Sequence, residues 1–435
     1  METLQQQLEK FTFQPEVYLY PTPRMYTPLD NFNLKEAQFT DDINIYVHIP
    51  FCKQICSFCG YLKMIDSSNL RTDYVGAILT ETKLYRDLLR HKQVKTLHFG
   101  GGTPSLLEPS ELEKIITALR EINPQILLTC EEVSIEATPE SIDQEKFSAY
   151  QKLGINRVSL GVQSFDNTEI ALSKRHNLSA ASIQAITILR ELNIPNIVID
   201  LMIGIEGQTF ASFEQSVKTA LELRPETVEL YALGLMPQTG LGKKVPSTLM
   251  ADQDIYRCYE LGRELFLAAG YVQDCHNRYV IPGKGSFLQE DYVFEGMSLL
   301  GLGAGVRSYA QNLHYRNTYD PLNSRKAIVD YIANINRGGN SVQSGFFLDR
   351  DERMRQYAIG RIERLDKRDF RERFGVNFEE AFKRLHTELL ELSLAEENGD
   401  IQQLTLHGLT FRDLIAKQFF SKRALEIEEK YRPKR

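Results

Sequence analysis

Six cysteines occur in the 435 residues, and three of them, Cys52, Cys56 and Cys59, stand in C-x3-C-x2-C spacing directly after an apolar run from Ile43 to Ile49. Iron–sulfur cubanes are ordinarily closed by four cysteines. A trio therefore holds three irons and leaves the fourth open to a substrate or cofactor atom. Structural zinc is the competing reading. It asks for four closed ligands, usually from C-x2-C pairs, and the chain has no matching second half.

A second chemical signal is Phe99-Gly100-Gly101-Gly102-Thr103-Pro104. Successive glycines lack the Cβ barrier, so backbone amides and carbonyls can meet a ligand directly. Neither G-x4-G-K-S/T nor G-x-G-x2-G is present, which weakens a phosphate cradle. The charged end of an amino acid such as methionine would suit the same backbone, and a tight turn is the plain alternative. Glu136, Gln163, Arg175 and Asp200 fall at or just beyond strand ends. Carboxylates suit ribose hydroxyls, and a cation suits a carboxylate.

These residues need elements to hold them. Short apolar runs at Ile43–Ile49, Val94–Phe99, Glu132–Glu136, Arg157–Leu160, Ile197–Leu201 and Val228–Ala232 read as strands. Between them Arg71–Arg90, Ser110–Ile122, Ser141–Leu153, Ala180–Leu192 and Phe210–Leu223 read as helices. That alternation implies βαβ units and a parallel sheet: an α/β fold with a partial (β/α)6 barrel. Such folds bind ligands at the carboxyl ends of their strands, where the cysteine loop, the glycine run and Glu136 all fall.

Residues 1–40, with Pro21 and Pro23 among aromatics, read as an extended arm laid across the main domain. Residues 41–250 are the barrel, and 251–337 an extension completing the active-site cleft. Within that extension, Tyr271–Tyr279 alternates weakly and Leu299–Tyr309 is rich in glycine. Residues 338–435 read as a helical, winged-helix-like domain, with helices at Asp351–Arg364, Phe378–Leu394 and Thr410–Phe420 and a turn at Asn398-Gly399-Asp400.

Net charge is −7, and Glu426, Glu428 and Glu429 interrupt the basic tail of Lys422, Arg423, Lys430, Arg432, Lys434 and Arg435. Neither nucleic acid nor a membrane is an expected partner. No signal peptide is read at the N-terminus, and the scattered Cys130, Cys258 and Cys275 form no disulfide framework. The cytoplasm is the expected compartment.

The cysteine loop, within Tyr46-Val47-His48-Ile49-Pro50-Phe51-Cys52, resembles that of the radical S-adenosylmethionine (SAM) enzymes. More narrowly it is similar to the oxygen-independent coproporphyrinogen III oxidase-like branch. The resemblance extends through Gly100–Pro104, Ser134-Ile135-Glu136, Ser159–Phe165 and Asp200–Gly204, with weaker echoes at Leu299–Ser308 and Leu404–Gly408. It implies that Cys52, Cys56 and Cys59 ligate a [4Fe-4S] cluster whose fourth iron chelates SAM. Reduction by a low-potential flavodoxin- or ferredoxin-like donor would then yield methionine and a 5′-deoxyadenosyl radical. Tyr46, Phe58, Gly101, Gly102, Thr103, Glu136, Gln163, Arg175, Asp200 and Gly234 match the family's SAM-contacting positions. Some members bind a second SAM, for which Arg175, Asp200 and the neighbourhood of Arg307 are the candidates.

Departures from the family pattern narrow the expected chemistry. Authentic coproporphyrinogen oxidases resemble C-x3-C-x2-C-x-C, and Tyr61 stands here at the fourth cysteine. The heme chaperones' His-Asn…Tyr-Trp stretch is missing from Ser286–Gly296, and the chain has no tryptophan. The branches that remain are heme-utilisation methyltransferases and natural-product methyltransferases or cyclopropanases. The resemblance thus implies methyl or methylene transfer to a tetrapyrrole or a large natural product. Coproporphyrinogen III oxidation and non-catalytic heme trafficking are the alternatives. Tyr61, Cys275 and His276 are the catalytic candidates: at the barrel mouth Cys275 or His276 could return a proton or hydrogen atom to a product radical. A buried thiol beside a structural histidine is the plainer reading of that pair.

Overall fold

The computed structural model describes residues 3–430, apart from 11–16, 18, 31 and 177. Six strands, β1 (Asp42–Ile49), β2 (Gln93–Gly101), β3 (Glu132–Ala137), β4 (Arg157–Gln163), β5 (Asn196–Ile203) and β6 (Thr227–Ala232), pair in parallel in that order. Helices α1 (Ser68–Leu84), α2 (Pro109–Ile122), α3 (Gln144–Lys152), α4 (Ser179–Glu191) and α5 (Phe210–Leu223) connect them. The expected α/β partial barrel is the fold.

Strand alternation explains both what packs and what stays reactive. In β1, Ile43, Ile45, Val47 and Ile49 are fully buried in the main apolar core. Asn44, Tyr46 and His48 point to the concave face. In β2 the concave residues are Thr96, His98 and Gly100, in β3 Ser134 and Glu136. The helices complete the core with stripes of helical period, as in Leu112, Ile115, Ile116, Leu119 and Ile122 of α2.

The sheet continues past the barrel. A hairpin of β7 (Val272–Cys275) and β8 (Arg278–Val280) pairs antiparallel with β6, and β9 (Ser298–Leu302) lies parallel to β1 on the other side. Beyond it β10 (Arg307–Tyr309), β11 (Leu313–Asn317) and β12 (Val342–Phe347) run antiparallel, with Thr27–Pro28 at the edge of a 13-stranded open sheet. The amino-terminal mouth of the barrel is plugged. Ser286 accepts from Arg157 Nε at 3.1 Å and from Asn196 Nδ2 at 2.9 Å, and the Phe287 ring lies 3.9 Å from the Arg157 guanidinium carbon.

The arm touches both regions: Leu34 and Phe39 pack against the main core, and Leu19 clusters with Tyr46, Leu299 and Tyr309. Leu4, Val17, Tyr20, Met25 and Tyr26 belong to the apolar core of the C-terminal region, with Phe370, Phe378 and Leu414, rather than to that of the barrel. The Tyr20 hydroxyl donates to Glu352, and Val17 N–H donates to Asp413 at 2.9 Å. The C-terminal region carries the expected helices, and the Asn398–Asp400 turn joins Ala395–Asn398 to Ile401–Leu404 in a hairpin. Of the basic tail, Arg423 faces Glu352 at 3.8 Å and Lys422 faces Glu426 at 3.7 Å. Arg432, Lys434 and Arg435 lie outside the described residues. No helix among the described residues is long and apolar enough to cross a membrane.

One buried carboxylate ties α1 to the glycine-rich turn between β9 and β10. Glu81 accepts from Gly303 N–H at 2.7 Å, Asn317 at 2.8 Å, Tyr331 at 2.7 Å and Ser341 at 2.7 Å. Burial nevertheless pushes its carboxyl up to about 7, against the pull of those donors. Between an ordinary glutamate value and 7 the folded chain therefore holds a proton that the unfolded chain has lost. Stability falls as pH rises through that window, by on the order of 3 kcal/mol. Denaturant titrations should show Glu81→Gln more destabilising at pH 5 than at pH 7.5, and a cost independent of pH would contradict this reading.

Candidate active site

The cysteine loop leaves β1 through a short strand, Phe51–Cys52, paired with Met64–Ile65. Its course is fixed by backbone bonds: Asp66 N–H to Cys52 O at 2.9 Å, Ser57 N–H to Ser173 O at 3.1 Å, and Leu241 N–H to Ser57 O at 2.8 Å. Phe58 anchors the middle of the loop against Met202, Ile205, Leu233 and Leu241. All three thiols are free, with Cys52 buried and Cys56 and Cys59 partly so. Burial, reinforced by Cys59 and Cys56, pushes the Cys52 thiol up to about 12, while Cys56 is raised by burial and eased by Arg175. Thiols in this state give up their protons to a metal rather than to water.

The glycine run lies directly under the loop. A Cβ on Gly102 would come within 2.8 Å of both Cys52 Sγ and Phe51 O. Gly102 N–H reaches Ile49 O at 2.9 Å, and Thr103 N–H reaches Phe51 O at 2.8 Å. Gly101 has φ +122°, and a Cβ there would meet the His48 ring at 2.6 Å. Its N–H donates to Glu136 Oε2 at 2.9 Å. His98 bridges Glu136 Oε1 at 3.1 Å and Ser134 Oγ at 2.6 Å. Burial would raise the Glu136 carboxyl, but the His98 contact, the Gly101 amide and His48 hold it below the ordinary carboxylate range.

Around the rim, Gln163 sits at φ 72° with its Oε1 accepting from Tyr231 OH at 2.7 Å. A non-glycine residue in that region is strained, which is commonest at ligand sites. Arg175 is buried and donates to the Gly161 carbonyl. Asp200 accepts from Ser159 at 3.2 Å, and burial beside Glu136 pushes it up to about 7, with Arg157 and Arg175 opposing. Gly234 follows Leu233, whose N–H donates to Ile203 O at 2.8 Å at the end of β5. Tyr46 stands over this floor, its hydroxyl 3.3 Å from His48 Nδ1. Burial raises its pKa well above the usual tyrosine value, with Glu136 and Tyr61 adding to the effect. Tyr61 itself is 67 % exposed. Arg307 begins β10, two strands from Tyr46, and bears electrostatically on it.

The fold thus gathers the three cysteines, the glycine run, the rim residues and Tyr61 at one carboxyl-end mouth. It does not bring Cys275 and His276 to the cysteine loop. Cys275 Sγ donates to Asn277 Oδ1 at 3.0 Å, and His276 Nδ1 lies 3.1 Å from Glu363 of the C-terminal region. The hairpin buries the Cys275 thiol and sets His276 against Glu363, the arrangement of a buried thiol beside a structural histidine. His48 and His98 belong to this floor as well, and the Phe287 ring centroid is 5.5 Å from that of His98.

A family model described as the radical SAM superfamily matches residues 46–220. The heme chaperone HemW of Escherichia coli (strain K12) is 30% identical over 266 residues, 61% of this chain and 69% of that protein. The chain belongs to the coproporphyrinogen III oxidase-like radical SAM family. HemW of Synechocystis is 34% identical over 276 residues, and the match spans 65% of that relative's length. The oxygen-independent coproporphyrinogen III oxidase of Pseudomonas aeruginosa is 28% identical over 369 residues, 80% of this chain and 78% of that protein. The solved structure of coproporphyrinogen III oxidase (HemN) from Escherichia coli shares the fold, with a TM-score of 0.82 at 24% identity over 95% of this chain and 98% of that one.

Radical SAM family members use a [4Fe-4S] cluster and SAM. The donor set fits the cluster: three free thiols on one anchored loop, with a glycine where any side chain would strike Cys52. Among the described residues no three His, Cys, Asp or Glu side chains converge as a single ion requires. A cubane takes its thiolates at separate corners, so convergence is not demanded of this trio.

Proposed function

We propose that this protein is a radical SAM enzyme acting on a tetrapyrrole, with a reaction of the coproporphyrinogen III oxidase type. Cys52, Cys56 and Cys59 would hold the cluster, which with SAM would supply hydrogen-atom abstraction at the mouth, and Gly101 to Thr103 would bring backbone to the amino-acid end of SAM. Glu136, Gln163, Arg175 and Asp200 line the rest of its site, with Tyr46, Phe58 and Gly234 bounding it. The barrel interior and its plugged base exclude water from the reacting atoms.

One observation carries the choice between the relatives' two activities. Part of Ser286–Gly296, the segment set against the heme chaperones' heme-binding stretch, contributes here to the barrel plug. Gln289, Glu290 and Val293 are all buried, and Ser286 and Phe287 hold Arg157. That placement favours catalysis over heme carriage. Methyl transfer, the expectation drawn from Tyr61 at the fourth-cysteine position and from the missing heme stretch, is not the activity of these relatives, and the oxidase reading replaces it. Electrons would enter beside the loop, where Lys53, Lys174, Lys243 and Lys244 are exposed on a chain of net charge −7. That rim suits an acidic low-potential donor.

The test is an anaerobic incubation of reconstituted, reduced enzyme with methyl-labelled SAM and coproporphyrinogen III. Decarboxylated, vinyl-bearing product with all label in methionine is expected. Label in the tetrapyrrole would replace the reading with methyl transfer, and stoichiometric heme binding without SAM turnover would replace it with a chaperone role.

A further inference from the structure

On the concave face, beyond the barrel proper, two arginines face each other across an antiparallel strand pair. Arg307 of β10 and Arg316 of β11 are direct register partners. They continue a transverse row that runs through Tyr46, which pairs with Gly301 on one side and His98 on the other. On its far side Arg316 pairs with Ser344, which also pairs with Pro28. Like charges opposed in this way are unfavourable unless something compensates them. Burial, then Arg307, draws Arg316 below the usual arginine value.

The surroundings supply aromatic faces rather than a complete set of hydrogen-bond partners. The Arg316 guanidinium carbon lies 4.2 Å from the Tyr319 ring centroid and 6.0 Å from that of Tyr26. Among the described residues, Arg316 Nε is buried with no hydrogen-bond partner, and so is the hydroxyl of Tyr26, a residue only 6% exposed. Tyr26 lies within electrostatic reach of Tyr309, Arg307 and Arg316. Buried donors are almost always satisfied. Two orphaned donors beside two opposed cations mark a place built for an anion.

We propose that Arg316, Arg307 and Tyr26 form a carboxylate-binding site that seats a side-chain carboxylate of the substrate beside the mouth. A planar carboxylate accepts from guanidinium forks and a phenol together. Arg307 also bears electrostatically on Tyr46 and His48, so the seat adjoins the floor on which the glycine run and Glu136 lie. A carboxylate held there leaves the rest of the substrate over the mouth, and the arm that carries Tyr26 becomes part of the site. The ligand's source rests on the tetrapyrrole reading above; the seat itself rests on the geometry of these three side chains.

The test uses the reconstituted full chain and measures binding. Coproporphyrin III, with four free propionates, and its tetramethyl ester are titrated by fluorescence quenching into wild type, Arg316→Gln and Tyr26→Phe. Labelled SAM is titrated in parallel by equilibrium dialysis. Wild type should prefer the free acid, and Arg316→Gln should lose at least about tenfold of that preference, the worth of one charge-assisted pair. Tyr26→Phe, which removes only the hydroxyl, should lose a smaller part of it. If the substitutions weaken SAM binding and spare the porphyrin preference, the carboxylate seated there is that of SAM and the substrate assignment is overturned. If neither ligand responds, the site itself is overturned. Failure of wild type to bind either porphyrin would overturn the tetrapyrrole reading, while the SAM arm would still decide the arginine pair.

Discussion

Replacing Cys56 with alanine is expected to abolish iron–sulfur reconstitution and to bring reductive cleavage of SAM to the background of reductant alone. Two thiolates cannot hold three corners of a cubane, and no fourth cysteine stands nearby: Cys130, Cys258 and Cys275 lie on other elements. The substitution removes a side chain that is only partly buried, so the fold should persist. Iron content, the cluster chromophore and 5′-deoxyadenosine yield, measured on one preparation, check the prediction. A Cys56→Ala protein that forms 5′-deoxyadenosine at the wild-type rate would remove the cysteine loop from the chemistry.

Gly102→Ala should be nearly as damaging although it removes no cluster ligand. Its Cβ would stand 2.8 Å from Cys52 Sγ and Phe51 O, and 3.0 Å from Phe51 N. Two of those atoms are backbone held in the strand that delivers Cys52, so they cannot swing aside as a long side chain would. Overpacking of this kind costs typically about 1–3 kcal/mol, and here the displacement falls on a cluster ligand. Iron per chain should drop steeply, with a smaller loss of thermal stability. Full cluster occupancy in the Gly102→Ala protein would mean that the glycine run is a turn and nothing more.

Much of this site was legible because it depends on rare residue types at close spacing. Three cysteines within eight residues and three consecutive glycines need no tertiary information to be noticed. The six strands were legible from apolar runs, with ends misjudged by one to three residues, most at Gln163, where the strand continues past its apolar stretch. The inward set itself was also written in the alternation of β1, where Asn44, Tyr46 and His48 interleave with isoleucines and valine. That signal identifies His48 and His98, and weighing strands by their apolar members alone passes over it.

Other features were not legible for physical reasons. Strands β10 to β12 have three to six residues of mixed polarity, and their pairing is fixed by neighbours distant in sequence. The arm's burial among C-terminal helices and the plug at Phe287 are contacts between segments far apart in the chain, which no local pattern encodes. Cys275 and His276 looked reactive because their types are reactive. Their placement is set by the hairpin, which brings His276 to Glu363 and Cys275 to Asn277.

The most direct test of the account is isotope transfer. Reduced, reconstituted enzyme is given SAM and coproporphyrinogen III deuterated on the propionate side chains, and the 5′-deoxyadenosine is analysed by mass spectrometry. The account predicts deuterium in the 5′-deoxyadenosine together with decarboxylated product. Undeuterated 5′-deoxyadenosine alongside unchanged coproporphyrinogen would contradict it.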